Sequence, residues 1–300
     1  MAAERDSIYK SSKSNSLDYA KRPWRKLLWL QQPYPDNYVD SSFLSQLKRN
    51  IHVQQYSFWT LSSDSTVIVL HVCTVAIFVG VFVLIHDREW NPALFASTGS
   101  VCTLIGYGAW DIFGDMNSSS RISTAKSALL IVSTLLGLSP VLKSLTQSTS
   151  SDSIWAISFW LFLLNIIFHD YSIGSKKAFP PTLSTNLAVS ASTMLASRLS
   201  TTLSVFSFLL FSIELFGLFP IFSRWIRSYS FLSHLILTAI FFTITEFEIL
   251  YIGGWWALAV WSIAIFSAVF VAPGWLIALQ QYKNEIQGPW DPAKPVLRNR

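Results

Sequence analysis

Charge is scarce in this chain: only 13% of its 300 residues are Asp, Glu, Lys or Arg, against roughly 25% in a soluble domain. With 51% hydrophobic residues and a mean hydropathy of +0.41, this scarcity excludes a soluble globular protein. Cysteine is nearly absent too. Cys73 and Cys102 both lie inside apolar runs, which excludes a disulfide framework of the secreted kind. The sequence also lacks GxxxxGK[ST], GxGxxG, His-Glu-x-x-His and Cys-x-x-Cys, the minimal residues of a phosphate cradle, a dinucleotide fingerprint or a zinc site. No cofactor, no metal and no nucleic-acid partner is expected. No cleavable signal peptide is expected, because polar residues of mixed charge precede the first apolar run near Ser65. Lipidation motifs are missing as well.

Long apolar runs are what the chain does have. Candidate spans cover 65–86, 92–113, 126–142, 153–170, 183–199, 201–222, 230–250 and 255–279, each of a length to cross a hydrocarbon core of about 30 Å as a helix. The expected fold is all-α: a multi-pass transmembrane bundle of about eight spans, with short amphipathic cytosolic helices at the N-terminus. Residues 1–64 form a cytosolic tail, 65–279 the bundle and 280–300 a second cytosolic tail. The orientation follows from Lys and Arg, which favour the cytosolic side of a membrane. With eight crossings, all of the 22 basic residues except Arg88, Lys143 and Arg198 fall on one side. That side carries both tails. The fifth segment is weakly hydrophobic, but without it the charge alternation breaks after the fourth loop.

Outside the membrane, residues 21–32 place Trp24, Leu27, Leu28 and Gln31 on one helical face with Lys21, Arg22, Arg25 and Lys26 at its flanks. This is the composition either of an in-plane interfacial helix or of a helix packed on a partner protein. Pro33 and Pro35 then stop it. Neither tail approaches the roughly 100 residues that a soluble catalytic domain needs.

Inside or at the edge of the membrane, ionisable residues are expensive and point to function. Asp111, Asp115, His169, Asp170 and Glu214 all fall near the cytosolic ends of their spans, at the level of the lipid headgroups. Carboxylates at helix ends also commonly just meet water. Glu246 and Glu248 lie towards the opposite face and, two residues apart, point in different directions, one to a neighbouring span and one to lumenal water. Along the fifth span Ser184, Ala188, Ser192, Ala196 and Ser200 repeat every four residues, a small-residue strip that lets another backbone approach closely.

Three polar segments carry a family resemblance: QQPYPDNYVD at 31–40, IIFHDYSIG at 166–174 and YKNEIQGPWDPAKP at 282–295. Together they resemble the PIG-C family, the C-type subunits of phosphatidylinositol N-acetylglucosaminyltransferase. The resemblance runs from about Trp24 to Pro295 and implies the first step of glycosylphosphatidylinositol (GPI) anchor synthesis, at the cytosolic face of the endoplasmic reticulum. There N-acetylglucosamine passes from its UDP carrier to phosphatidylinositol. The family implies partners, namely the catalytic A-type subunit with those of the H, P, Q and Y types, and it offers no catalytic residue to carry across. The matched segments therefore supply contact sites for partners or the lipid headgroup: Pro33, Pro35, Asp36 and Asn37; His169, Asp170 and Tyr171 with nearby Glu214; and Gly288, Pro289, Trp290 and Asp291. A non-catalytic membrane subunit is the expected role. Two alternatives stay open: a lipid transporter or scramblase, with Pro140, Pro220 and Pro273 breaking spans, and an intramembrane lipid-modifying enzyme using His169, Asp170 and Glu214.

Overall fold

In a computed structural model, residues 56–113, 118–144, 148–171 and 181–280 are described, together with Arg25, Trp29, Gln32, Tyr34, Pro35, Tyr38, Lys48–Arg49, 282–283 and Ile286–Gln287. The chain divides into two units, Tyr56–Ile277 and the tails Met1–Gln55 with Ala278–Arg300.

The larger unit is all helix: α1 (Phe58–His86), α2 (Pro92–Phe113), α3 (Ser118–Ser144), α4 (Ser151–Phe168), α5 (Pro181–Ala196), α6 (Thr202–Ile213), α7 (Phe219–Tyr229), α8 (Phe231–Phe266) and α9 (Ala272–Gln280). Helix starts follow from hydroxyl caps that satisfy free backbone N–H groups. Ser150 accepts from Ser153 N, Thr201 from Ser204 N and Ser230 from Ser233 N. Among the described residues, five stretches are long and apolar enough to cross a membrane: Phe58–His86, Ile122–Ser144, Ser151–Phe168, Thr202–Tyr229 and Phe231–Gln280. Helix α5, with 16 residues, is about 24 Å long and is not among these five stretches.

The 50-residue stretch is not one rod. Ser262 Oγ donates to Glu246 Oε1 at 2.8 Å, although sixteen residues of straight helix would separate them by about 24 Å. The chain folds back at Gly254, whose φ of 71° and ψ of −170° belong to a region open essentially to glycine alone. Its neighbour Gly253 is also required, since a Cβ there would clash with that of Ala257. The expected boundary between the seventh and eighth spans falls at this turn.

None of the three span prolines breaks its helix. Pro140 lies inside α3. Pro220 and Pro273 each follow a π turn, Glu214–Leu218 and Ser267–Val271. Proline has no N–H to give and its ring displaces the carbonyl a turn earlier; the wider turn accommodates both defects. The rod α6–π–α7 therefore continues from Thr202 to Tyr229.

Helix α1 is the axis of the core. Phe78 stacks on Phe208 of α6 at 4.4 Å and meets Phe162 of α4 and Phe216 edge-on. On α5, Ser184, Ala188, Ser192 and Ala196 are all buried. Ser212 of α6 donates to Ser192 Oγ at 2.6 Å, so the small-residue strip receives helices of its own chain. Ser200 departs from the expectation: it lies beyond the end of α5 and is exposed. Of the two glutamates, Glu248 packs its carboxyl over Gly80 of α1, a neighbouring span as expected for one of the pair, while Glu246 accepts from Ser262.

In the tail unit, Lys48–Arg49 pairs antiparallel with Ile286–Gln287, so the two ends of the chain meet. Of the expected helix over 21–32, Arg25, Trp29 and Gln32 are described and none is helical. Arg25 N donates to Gln32 Oε1 at 2.8 Å. Pro35 accepts from Tyr38 N at 2.8 Å, a turn. Pro33, Asp36, Asn37, Asp115, Gly288, Pro289, Trp290 and Asp291 lie outside the described residues.

Candidate functional site

Helix α4 ends at Phe168, and His169 turns extended (φ −67°, ψ 140°). The corner is pinned by the Tyr171 hydroxyl, which donates to the Ile166 carbonyl at 2.7 Å. Burial pushes the Tyr171 phenol above its ordinary pKa, so it remains protonated as that donor. His169 lies flat on His71 of α1, with ring centroids 3.7 Å apart. Its Nδ1 is 3.2 Å from Ser184 Oγ.

Behind His169 a buried polar chain joins three helices. Asn165 donates from Nδ2 to the carbonyl and the hydroxyl of Ser184, both at 2.8 Å. A carbonyl only accepts, so the amide is oriented with Oδ1 towards His71. That oxygen in turn only accepts, and it lies 3.0 Å from His71 Nε2. His71 therefore carries its proton on Nε2. His71, Asn165 and Ser184 thus hydrogen-bond one another within an apolar setting, where burial makes such pairing valuable.

In front of His169 opens a cavity of about 550 Å³ between α5 and the α6–α7 rod. Its lining includes the polar His169, Asp170, Ser184, Asn186 and Arg224 and the apolar Phe216, Pro220 and Ile221, with Gly217 between them on the rod. Gly217 and Pro220 belong to the π turn and its exit, so the proline that shapes the rod also shapes the cavity. Arg224 Nη1 lies 3.6 Å from Asp170 Oδ2, an ion pair looser than a direct hydrogen bond.

His169 and Asp170 both line this cavity, and Tyr171 supports the corner from behind. Glu214 is not among the residues that line the cavity. It faces α2, where Ser100 Oγ donates to its Oε1 at 2.6 Å, and its Oε2 is buried without a hydrogen-bond partner. A Cβ on Gly99 would clash with that oxygen, so a glycine is needed there to admit the carboxyl. The trio required by an intramembrane enzyme is therefore split. Sequence reasoning misses His71, Asn165 and Arg224 as site residues. The first two carry a signal, as isolated polar residues within long apolar runs, while Ser184 is marked in the sequence only by its size.

A family model described as phosphatidylinositol N-acetylglucosaminyltransferase matches residues 24–291. The phosphatidylinositol N-acetylglucosaminyltransferase GPI2 subunit of Schizosaccharomyces pombe is 41% identical over 285 residues, covering 92% of this chain and 88% of the relative. The C-type subunit from Rattus norvegicus is 36% identical, with 92% and 94% covered. Its counterpart from Homo sapiens is 35% identical, with 90% and 92% covered. No solved structure matches the chain. With near-complete coverage from both sides, the chain belongs to the GPI2, or PIG-C, family of phosphatidylinositol N-acetylglucosaminyltransferase subunits.

Proposed function

We propose that this chain is a non-catalytic membrane subunit of the complex that transfers N-acetylglucosamine from UDP-N-acetylglucosamine to phosphatidylinositol, the first step of GPI-anchor biosynthesis, and that it presents the lipid acceptor. The cavity beside His169 carries the proposal: its lining combines polar side chains with apolar ones, as an amphiphile with a polyol headgroup requires. Eight crossings are assigned, counting α1 to α5, the α6–α7 rod and the two limbs either side of Gly254. An even count leaves both tails on one face, and the pairing of Lys48–Arg49 with Ile286–Gln287 is consistent with that. The basic side is assigned to the cytosol, in the endoplasmic reticulum membrane, where the UDP-sugar is found. The nucleotide-sugar site is assigned to the A-type partner. The proline-containing segments 33–37 and 288–291 are assigned to contacts with partners of the A, H, P, Q or Y types.

The complex is purified in detergent and exposed to a photoreactive phosphatidylinositol. Label is expected on this chain, and Asn186→Trp, which narrows the cavity from an exposed position, is expected to remove it while the subunits still co-purify. Label confined to partner proteins refutes the acceptor-presenting role. Substitutions within 33–37 or 288–291 are expected to lose co-purification with the catalytic partner. If those variants assemble normally and only His169→Ala is inactive, the site is catalytic and the scaffold role fails.

A further inference from the structure

Arg224 and Asp170 are shared with a second, smaller cavity of about 30 Å³, whose other walls include Tyr171, Arg227 and His234. Its polar groups are incompletely satisfied. Arg227 is only 11% exposed; one guanidinium nitrogen, Nη2, donates to Asp64 Oδ1 at 2.7 Å, while Nη1 is buried with no hydrogen-bond partner. His234 is 1% exposed, and its Nδ1 is buried with no partner either. Unpaired buried groups of this kind are rare in native proteins.

The chemistry each group demands is fixed. Arg227 Nη1 is a donor and needs an acceptor, best an anionic oxygen. Thr66 Oγ1 donates its single proton to the Ser63 carbonyl at 2.6 Å, so at 3.1 Å it accepts from His234 Nε2–H. The neutral His234 ring therefore presents a bare lone pair at Nδ1 and needs a donor, such as a hydroxyl. Arg224 and Arg227 lie three residues apart on α7 and so share a face. The volume suffices for one or two water-sized groups, enough for the oxygens of a phosphoryl group and too little for a sugar ring.

We infer that Arg224, Arg227 and His234 form a phosphoryl subsite that holds the phosphodiester of a hydroxyl-bearing phospholipid, with the remainder of the lipid in the larger cavity. The inference rests on the proposed lipid-presenting function and fixes the direction of the lipid within it. The phosphate lies against α7, where Arg224 forms the wall common to both cavities. One neighbouring hydroxyl of the headgroup donates to His234 Nδ1. A zwitterionic choline lipid supplies the phosphate but not the hydroxyl.

The test uses the whole complex in phosphatidylcholine nanodiscs doped with a photoreactive phosphatidylinositol. Arg227→Lys keeps the charge and removes the forked donor; Arg224→Gln removes a half-exposed charge; His234→Phe removes the acceptor. Each arginine change is expected to raise the half-saturating phosphatidylinositol concentration about tenfold, as loss of a charge-assisted hydrogen bond does, with the KM for UDP-N-acetylglucosamine and kcat unchanged. His234→Phe is expected to weaken phosphatidylinositol while leaving competition by phosphatidic acid unaltered. Lys126→Gln, an exposed cation of α3, is expected to change neither. If Arg227→Lys does not assemble, Arg224→Gln decides.

Unaltered phosphatidylinositol affinity in the arginine variants, with this chain still labelled, overturns the subsite and leaves the lipid-presenting function standing. Label found only on partner proteins overturns both. Inorganic phosphate protecting at the same concentration as the lipid identifies a soluble anion and overturns the lipid assignment.

Discussion

Replacing Asn165 by leucine, a side chain of similar size, removes the centre of the polar chain behind the cavity without opening a void. Three hydrogen bonds disappear, those to His71 Nε2 and to the carbonyl and hydroxyl of Ser184. The Ser184 groups suffer less, because its carbonyl sits in the first turn of α5 and its hydroxyl keeps His169 Nδ1 within 3.2 Å. The His71 Nε2–H, in contrast, is left buried with no acceptor, at a cost of about 1–3 kcal/mol. Buried hydrogen bonds between membrane helices measure about 0.6 kcal/mol on average and about 1.7 at most, so a total near 2 kcal/mol is expected. For a bundle of this size that lowers Tm by about 4–8 °C. Size-exclusion chromatography of the heated, detergent-purified complex measures it. The decisive comparison is His71→Phe combined with Asn165→Leu: with both partners apolar, no donor is stranded, and the double variant is expected to regain about 1 kcal/mol relative to the sum of the singles. Strict additivity, or an Asn165→Leu variant as stable as the wild type, refutes the hydrogen-bond assignment on which the orientation of His71 rests.

Gly254→Ala is expected to destabilise the same complex by about 1–3 kcal/mol through strain at φ 71°, whereas Gly108→Ala, inside α2 where a Cβ meets nothing within 4 Å, is expected not to lower its Tm. Gly99→Val is expected to prevent assembly, because its side chain occupies the position of the Glu214 carboxyl; normal assembly would show that Glu214 is free to move. Cysteines placed at Lys48 and Gln287, partners in register, are expected to crosslink under mild oxidation in a background lacking Cys73 and Cys102, and failure to do so would separate the tails. The Asn117-Ser-Ser sequon is expected to be unmodified, so an N-glycosidase should leave electrophoretic mobility unaltered; a shift would place that loop in the lumen.

Scarce charge and long apolar runs determined the class of this protein by themselves, because an uninterrupted apolar stretch in a membrane satisfies its backbone only as helix. The three polar segments determined the family in the same way, being long, specific and independent of packing. His169 and Asp170 stood out because they are polar at the end of an apolar run, and Ser184 and its repeats because small residues every four positions mark a close helix contact. Tertiary structure alone decided which polar groups share a space. Glu214 and Asp170 look alike along the sequence, yet one faces Ser100 of α2 and the other Arg224 of α7, because they sit on different elements with different neighbours. Arg227 and His234 appear in the sequence as a loop cation and a residue near a helix start; that they border one small cavity with unpaired nitrogens follows from how α1, α4, α7 and α8 pack. Helical periodicity assigns a face within one segment, and only the packing of several segments determines what that face meets.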